Sequence, residues 1–355
     1  MTDRFIYIYL RVADYNVHVG KIAYINANYN LLIQIEETVI SSKMKLKSDL
    51  LVQPSGELSK KIREELKEDP ATRDRDLAAI KDWLRKQPHL PDEWEDMPLL
   101  TFLRGSSFSL EKCKRKLDMY FTMRAACPEF FTNRDATSPA LREVLKTKLQ
   151  GPALPGVTPN GRRVTICRGL YPSLDSQQIT DTLKLALMIG DIRLIEEVEG
   201  VAGDIYILDG AVLGASLLGR LSPSVIKKFM ICVQEAYPVK LKEVHIINTS
   251  PTVERFVTFV KPFLKEKIRK RIFIHKDLKD LYKYVPQEML PKEYGGQCGT
   301  MDELQQNWTD KLIEYRDWFK AQDALVANES LRPGRPTNYD ELFGIDGSFR
   351  QLAID

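Results

Sequence analysis

Basic side chains are the densest chemically active residues in this sequence, and they gather in two short stretches. Lys240 and Lys242 form the first stretch, and the second covers residues 261–271. The second stretch contains one acid, Glu266, and these basic residues: Lys261, Lys265, Lys267, Arg269, Lys270 and Arg271. Cations that converge on a phosphate stabilise it by charge-assisted hydrogen bonds, and each adds about 1 kcal/mol of attraction to an anionic membrane. The pattern favours an anion-binding patch over the alternative of an ordinary solvated charge run.

No catalytic constellation accompanies this patch. Residues 214–219 have the two glycines of a phosphate-binding loop, but Arg220 and Leu221 follow where a lysine and a hydroxyl residue are needed. Ser216 has the preceding glycine of a nucleophile elbow, but Leu218 stands where the following glycine belongs. We therefore predict that the protein is not an enzyme.

Metal-binding patterns are missing from the sequence as well. The histidines show no H-x-x-x-H or H-E-x-x-H spacing. They are His18, His89, His245 and His275. The cysteines are scattered and odd in number, which favours reduced thiols and argues against zinc. They are Cys113, Cys127, Cys167, Cys232 and Cys298. Asp204 and Asp209 flank a predicted strand without a nucleophile or a metal partner, and we expect His245 to be a satisfied core residue. The sequence predicts no metal and no cofactor.

Length and charge limit the class of protein. The chain of 355 residues is long enough for two domains. Its net charge of +3 is too small to indicate a nucleic-acid partner. No apolar run reaches the roughly 18 residues of a membrane span, and the apolar residues 5–10 are too few for a signal-peptide core. We expect a cytoplasmic protein that is peripheral on membranes.

A predicted strand–helix–strand unit positions the basic patch. Val244, Ile246 and Ile247 form an apolar run that is typical of a buried strand. Ser250 and Pro251 then supply a helix cap and a proline at the first helical position. Apolar residues recur at three- and four-residue spacing along this helix, which gives it one apolar face. They are Val253, Phe256, Val257, Val260, Phe263 and Leu264. Pro262 should break the helix near its end, and a second strand is expected at Ile272–Ile274.

The motifs and their order resemble the CRAL-TRIO lipid-binding family, closest to its branch of α-tocopherol transfer and cellular retinaldehyde-binding proteins. The resemblance covers about residues 57–300. The residues that carry it are Asn248, Lys261-Pro262-Phe263-Leu264, Lys267, Arg271-Ile272, His275 and Leu290-Pro291-Lys292-Glu293-Tyr294-Gly295-Gly296. Upstream they are Leu99-Leu100-Thr101-Phe102-Leu103-Arg104, Gly161-Arg162-Arg163-Val164, Ser222-Pro223 and Tyr237-Pro238. The order and spacing of these motifs together are specific.

The resemblance implies two sites. A phosphoinositide headgroup would bind at Lys240, Lys242, Lys267 and Arg271, and the helix over residues 251–264 would be a mobile lid. An apolar pocket would lie beneath that lid. Its implied lining is Phe229, Cys232, Val233, Tyr237, Val239 and Val244, with Val253, Phe256, Val257 and Val260 on the inner face of the lid.

The predicted fold class is α/β, with a small N-terminal helical bundle followed by an α/β/α lipid-binding domain that has a mainly parallel sheet. We expect an extension over residues 1–50, poorly ordered or a hairpin. The helical domain then covers residues 55–135 and the lipid-binding domain residues 136–300. A C-terminal helix and an extended tail follow over residues 301–355. Within this scheme helices are expected at residues 57–68, 72–87, 109–127 and 175–189, and a connection at residues 150–161.

The function implied by the resemblance is that of a cytosolic carrier. It would hold one hydrophobic lipid, such as a tocopherol, a retinoid or a related isoprenoid, and transfer it at phosphoinositide-containing membranes. One alternative is a phosphatidylinositol or phosphatidylcholine exchange protein. Another is a lipid-sensing regulatory adaptor whose N-terminus or tail binds a protein partner. The expected partners are a hydrophobic small molecule, a phosphoinositide headgroup and a membrane surface, with no nucleic acid.

Overall fold

The computed structural model of this chain describes residues 50–344. The predicted extension before residue 50 and the last part of the predicted tail lie outside the described residues. The helices of the N-terminal half are α1 (Gly56–Leu66), α2 (Arg73–Arg85), α3 (Asp96–Gly105), α4 (Leu110–Ala126), α5 (Pro128–Phe131) and α6 (Pro139–Thr147). The predicted helices of this half are confirmed to within a few residues, whereas α5 and α6 were not predicted.

The helical half packs around one aromatic core. Trp94 stacks on Tyr120 and makes T-shaped, edge-to-face contacts with Phe102 and Phe121, with ring centroids 5.2–5.7 Å apart. Ile80 and Leu84 of α2 and Leu117 of α4 are buried in the same cluster. Such a cluster of large rings holds short helices together by apolar burial and edge-to-face contacts.

A six-stranded, mainly parallel sheet forms the second half, as predicted. Its strands are β1 (Leu149–Gln150), β2 (Ala153–Val157), β3 (Arg162–Gly169), β4 (Gly203–Asp209), β5 (Leu241–Ile247) and β6 (Ile272–Ile274). Strands β3, β4, β5 and β6 lie side by side and parallel. Strands β1 and β2 both pair with β3 in the antiparallel direction.

The expectation of a plain connection over residues 150–161 is wrong, because β2 lies within it. Pro155 and Gly156, which predicted a loop, are part of this strand. A proline is tolerated there because β2 is an edge strand, where one side of the backbone needs no ladder hydrogen bond. The register shift between Ala153 and Val157 absorbs the irregular backbone.

The remaining helices surround the sheet. They are α7 (Ser176–Glu196), α8 (Ala215–Leu218), α9 (Pro223–Ile231), α10 (Pro251–Val260), α11 (Glu266–Arg269), α12 (Leu278–Leu281), α13 (Met301–Glu314), α14 (Arg316–Gln322) and α15 (Tyr339–Phe343). A π-helical turn at Cys232–Ala236 extends α9, and single 3₁₀ turns cover Lys261–Phe263, Gln287–Met289, Lys292–Tyr294 and Glu329–Leu331. The tail is not wholly extended, because α15 lies in its described part.

One face of the sheet is fully covered. Val164, Ile166, Ile205 and Ile207 point to this face and are at most 1% exposed. They pack against residues of the C-terminal part of the chain, namely Leu281, Val285, Leu290, Tyr294, Met301 and Leu304. The C-terminal helices therefore close this side of the sheet, and any open space must lie on the other side.

Helix α7 lies over that other face. Its Arg193 Nη2 donates to Asp204 Oδ1 of β4 at 2.7 Å, and Glu197, its C-cap, pairs with Arg163 of β3 at 2.8 Å. Asp175 and Gln178 form a capping box at its start. The helix runs seven residues further than predicted, to Glu196, because these buried ion pairs hold its last turns against the strands.

Candidate functional site

The predicted lid helix is confirmed as a helix. Ser250 Oγ accepts a hydrogen bond from the Val253 amide, and Pro251 occupies the first turn of α10. The α-helix ends at Val260, and a 3₁₀ turn that contains Pro262 follows. Pro262 lacks the amide needed to continue the α-helix, so the predicted break falls where the proline stands.

The inner face of α10 packs on strands β4, β5 and β6. Val253 and Val257 form a small cluster with Ile246. Partly buried apolar residues complete this cluster, namely Leu208, Leu213, Val244 and Ile272. Val260 is buried as well, and Phe256 is half-buried. This face of α10 covers the part of the sheet that lies next to the basic stretch, residues 261–271.

The other predicted pocket residues lie in a different cluster. Cys232 and Tyr237 are buried in the core that continues into the helical half. Partly buried residues that pack against it include Phe229, Val233 and Val239. The structure therefore places the predicted lining in two groups, one beneath α10 and one beside α9. The assignment of these residues to a lipid pocket stays a prediction.

The face of the sheet beneath α7 and α10 is only partly buried, as expected of a cavity floor. Along β4, Tyr206 and Leu208 are half-buried, although Ile205 and Ile207 between and beside them are completely buried. Since successive side chains of a strand point to opposite faces, the half-buried ones share the face beneath α7 and α10. Cys167 lies on the same face of β3. Burial raises the pKa of its thiol to about 12, yet the residue keeps accessible surface.

Helix α7 contributes the facing wall. Ala186 is exposed, although Leu185 and Leu187 on either side of it are buried. Ala186 lies seven residues before Arg193 and therefore on nearly the same side of the helix, which faces β4. Thr182, one turn earlier, has a buried hydroxyl that lacks a hydrogen-bond partner among the described residues. Ala186 therefore leaves accessible surface on the side of α7 that faces β4.

Floor and wall residues such as Cys167, Ala186, Tyr206 and Leu208 were absent from the predicted lining. The alternation of Tyr206 and Leu208 with two isoleucines is a sequence pattern from which these two floor residues could have been predicted. Ala186 has no such signal, because a small residue in an apolar helix is usually plain core.

Three of the four predicted headgroup residues lie around the start of β5. Lys240 Nζ donates to Ser107 Oγ at 2.6 Å, and Lys242 Nζ pairs with Glu65 Oε1 at 2.5 Å. The Arg271 guanidinium donates to the carbonyl of Leu241, between the two lysines. Lys267 is exposed on α11, one turn before Arg271. Whether this group binds a headgroup stays a prediction.

The electrostatic surroundings of Lys240 add residues that the sequence analysis missed. Burial and the nearby charges of Lys242, Lys67 and Lys112 lower the pKa of Lys240 to about 8, whereas Glu65 opposes this change. Glu65 and Lys67 belong to the end of α1, and Lys112 to the first turn of α4. These residues precede Lys240 by more than a hundred positions, and no pattern in the sequence relates them to it.

His245 is a satisfied core residue, as predicted. Its Nδ1 lies 2.8 Å from His275 Nε2, and its Nε2 lies 3.1 Å from Glu243 Oε2. Glu243 also pairs with Arg162, so a chain of polar contacts joins three strands. Burial lowers the pKa of both histidines, which favours their neutral forms. Within residues 50–344, no group of three or more potential ligands could hold a metal ion, and no helix could span a membrane.

Comparisons with known proteins place these features in a context. The CRAL/TRIO domain matches residues 152–296, and a domain described as "Pinta-like, UBA domain" matches residues 69–141. "Alpha-tocopherol transfer protein-like" from Homo sapiens is 32% identical over 265 residues, which are 74% of this chain and 76% of that protein. The mouse protein of that name is 33% identical over the same shares. "Clavesin-2" from Rattus norvegicus is 28% identical over 74% of this chain and 80% of that protein.

A distant likeness exists among solved structures. The crystal structure of Sfh5 is 15% identical and has a TM-score of 0.37. The alignment covers 75% of this chain and 99% of that chain. This structural similarity adds no information beyond the sequence similarity to the relatives above.

Proposed function

This chain belongs to the CRAL/TRIO family of lipid-binding and lipid-transfer proteins, and from that premise we propose that it carries one hydrophobic lipid and transfers it at phosphoinositide-containing membranes. The cargo class that we propose is a tocopherol, a retinoid or a related isoprenoid. The names of the tocopherol-transfer relatives support this class. The observation that carries the proposal is the half-buried apolar floor beneath α7 and α10.

An apolar cargo suits this floor. Leu208 and Val244 offer apolar surface, and Val253 and Val257 would close over the cargo from the lid. Each Å² of apolar surface removed from water contributes roughly 25 cal/mol, so a cargo enclosed on all sides would be bound mainly by burial.

The lid proposal rests on how α10 is held. Its inner face buries Val253, Val257 and Val260, and exposing each of these valines to water costs about 1.5–3 kcal/mol. Opening is therefore unfavourable in water and becomes less costly where a membrane receives the exposed face. The basic patch directly after α10 would hold the protein against an anionic membrane while the lid opens.

We propose a non-catalytic role. The relatives are named as transfer proteins or clavesins, and the floor residues Cys167, Tyr206 and Leu208 offer no nucleophile paired with a base. Burial raises the pKa of Cys167, which keeps this thiol protonated and poorly nucleophilic.

The experiment that tests this proposal is mass spectrometry of an organic extract of the purified protein, after incubation with a lysate of its own source. The expected result is one isoprenoid molecule per protein. A stoichiometric phospholipid would contradict the cargo class and favour the exchange protein instead. Folded protein that yields an empty extract would contradict the carrier role and leave the lipid-sensing adaptor.

A further inference from the structure

We propose that Glu65 of helix α1 occupies the headgroup site as an internal substitute for phosphate, and that a phosphorylated inositol headgroup displaces it from Lys242. This inference rests on the proposed function and adds a competing group to the same site. The two residues are 177 positions apart, and their ion pair joins the helical half to the first residues of β5.

The geometry around Lys242 is that of an occupied anion site. Glu65 Oε1 lies 2.5 Å from Lys242 Nζ, while Lys240 Nζ is held by Ser107 Oγ at 2.6 Å. Arg271 reaches the backbone carbonyl between these two lysines. The carboxylate of Glu65 thus pairs with one cation of this group and acts electrostatically on a second, Lys240, at the place where a phosphate would also find its partners.

Two further cations from the helical half face the same place. Lys67 and Lys112 both act on Lys240, as does Lys242, and Glu65 is the acid that opposes them. Lys67 follows α1 in a left-handed conformation (φ 60°), in which its amide donates to the carbonyls of Arg63 and Glu64. This cap fixes the chain at the end of α1 and so brings Lys67 to the same end of the helix as Glu65.

Exchange of Glu65 for phosphate is chemically reasonable. A carboxylate carries one negative charge and two oxygens, whereas a phosphate monoester carries almost two charges and three oxygens. Such a group can accept from Lys240, Lys242 and Arg271 together, which Glu65 does not do. The Glu65 side chain is 42% exposed, so water can solvate it once it is released.

Helix α1 does not depend on Glu65 for its position. Ile62 and Leu66 are buried against Ala202. Ile62 packs where Gly161 has no side chain, since a Cβ at Gly161 would lie 2.4 Å from its Cγ1. Arg63 pairs with Glu199 on the opposite side. Loss of the Glu65–Lys242 pair therefore leaves the helix in place.

The test compares Glu65→Gln with Glu64→Gln for binding to phosphatidylcholine vesicles with and without phosphatidylinositol bisphosphate. Both substitutions remove one exposed negative charge from α1, but only Glu65 pairs with Lys242. Removing the competing carboxylate should tighten binding to the bisphosphate vesicles by up to about fivefold, which is the upper end of the range of an exposed ion pair. Glu64→Gln should leave binding unchanged, as should either substitution on plain vesicles.

A double-mutant cycle separates competition from general electrostatics. In the Lys242→Gln background, Glu65→Gln should have a much smaller effect on binding, because the ion-pair partner of Glu65 is gone and only its weaker influence on Lys240 remains. Equal tightening by Glu64→Gln, or an unchanged gain in the Lys242→Gln background, would overturn the proposal. Weaker binding of Glu65→Gln would overturn it too, because Glu65 would then position Lys242 rather than compete for it.

Soluble inositol trisphosphate, measured by calorimetry, distinguishes the headgroup of a membrane lipid from a free ligand. Tightening in both assays supports competition at the headgroup itself. If Glu65→Gln bound only the vesicles more tightly, the proposal would be overturned, because the substitution would then act on how the protein approaches the membrane and not on the headgroup. A wild-type protein that prefers bisphosphate vesicles, with no gain in Glu65→Gln, refutes only this inference. Absence of any preference in wild type and variant refutes the proposed headgroup site as well.

Discussion

Lys267 and Arg271 both lie near the junction of α11 and β6, but their side chains differ in contacts and exposure. Arg271 donates to the Leu241 carbonyl and is half-buried, whereas Lys267 is exposed. Arg271 can therefore orient a phosphate with little loss of side-chain freedom, while Lys267 can reach towards a membrane surface. Their roles in headgroup binding are separable from cargo binding, because neither residue contributes to the floor beneath α10.

We predict that Lys267→Gln combined with Arg271→Gln weakens binding to bisphosphate vesicles roughly thirtyfold, at about 1 kcal/mol for each basic residue. Cargo loading should stay at its wild-type stoichiometry. Vesicle sedimentation and mass spectrometry of extracted cargo measure the two quantities. The control variant is Lys276→Gln combined with Lys279→Gln, which removes the same charge from exposed positions after β6. Equal losses in both double variants would show that total charge, not this patch, attracts the membrane.

The depressed pKa of Lys240 gives headgroup binding a dependence on pH. In the free protein this pKa is about 8, against 10.5 for an unperturbed lysine. The ammonium is therefore lost as the pH rises through about 8, and affinity for bisphosphate vesicles should fall over that interval. The Lys240→Arg variant should bind bisphosphate vesicles with the same affinity throughout this pH interval, because a guanidinium stays charged. An identical fall in Lys240→Arg would assign the titration to another group, for example Lys116, whose pKa burial also lowers to about 8.

Local sequence signals predicted the elements around the site with good accuracy. Ser250 and Pro251 predicted the start of α10, and Pro262 predicted its end. The same local reasoning failed for β2, because Pro155 and Gly156 are loop residues by composition and become strand residues only through pairing with β3. It also missed the π-helical turn at Cys232–Ala236, whose end is held by contacts with a distant helix. Lys116 of α4 donates to three carbonyls there, those of Gln234, Glu235 and Tyr237.

The π-helical turn also holds the far end of the lid. Gln234 Nε2 donates to the Phe263 carbonyl at 2.9 Å, and Gln234 Oε1 accepts from the Lys265 amide at 2.9 Å. Lys265 adds an ion pair with Glu235. The last turn of the lid is thus tied to the helix that carries Phe229, and opening of α10 at this end requires the two amide contacts to break.

Gln234→Ala should therefore speed the exchange of cargo between protein and vesicles roughly tenfold, since each lost hydrogen bond contributes about 0.5–1.5 kcal/mol. Transfer of a fluorescent tocopherol analogue measures this rate. Gln306→Ala, which removes an exposed glutamine that contacts Asp310, is the control and should exchange cargo at the wild-type rate. Slower exchange in Gln234→Ala, or loss of cargo without faster exchange, would exclude these two contacts as a restraint on lid opening.

At the scale of the whole molecule, the predicted division at residue 135 stays a prediction. One buried cluster crosses it, because Phe121 and Phe130 share a core with Leu187, Cys232 and Tyr237. A single sequence shows which residues are apolar but not which distant apolar faces meet. For this reason the lid helix was predictable, whereas the separation of its pocket residues into two clusters was not.

Asp191 lies at the centre of this shared core and was not singled out by any sequence pattern. It is completely buried and accepts hydrogen bonds from Tyr120 at 2.9 Å and Tyr237 at 2.5 Å. Arg134 pairs with its other oxygen at 2.8 Å, and Arg124 approaches the same oxygen at 3.5 Å. Two cations and two hydroxyls thus converge on one carboxylate, with Tyr120 and Arg124 both supplied by α4. Tyr237, a predicted pocket residue, directs its hydroxyl to this network.

Asp191→Asn should lower the free energy of unfolding by about 3–5 kcal/mol, because it removes the carboxylate partner of the buried Arg124 and leaves Arg134 with only Asp323, at 3.4 Å. Tyr237→Phe removes one hydrogen bond to the same carboxylate and should cost only about 0.5–1.5 kcal/mol. Urea denaturation followed by circular dichroism measures both values, and Asp82→Asn, on the surface of α2, should leave the midpoint unchanged. Equal, small losses in Asp191→Asn and Tyr237→Phe would mean that Arg124 and Arg134 find other partners. A wild-type midpoint for Asp191→Asn would show that the two halves are held together by their apolar core alone.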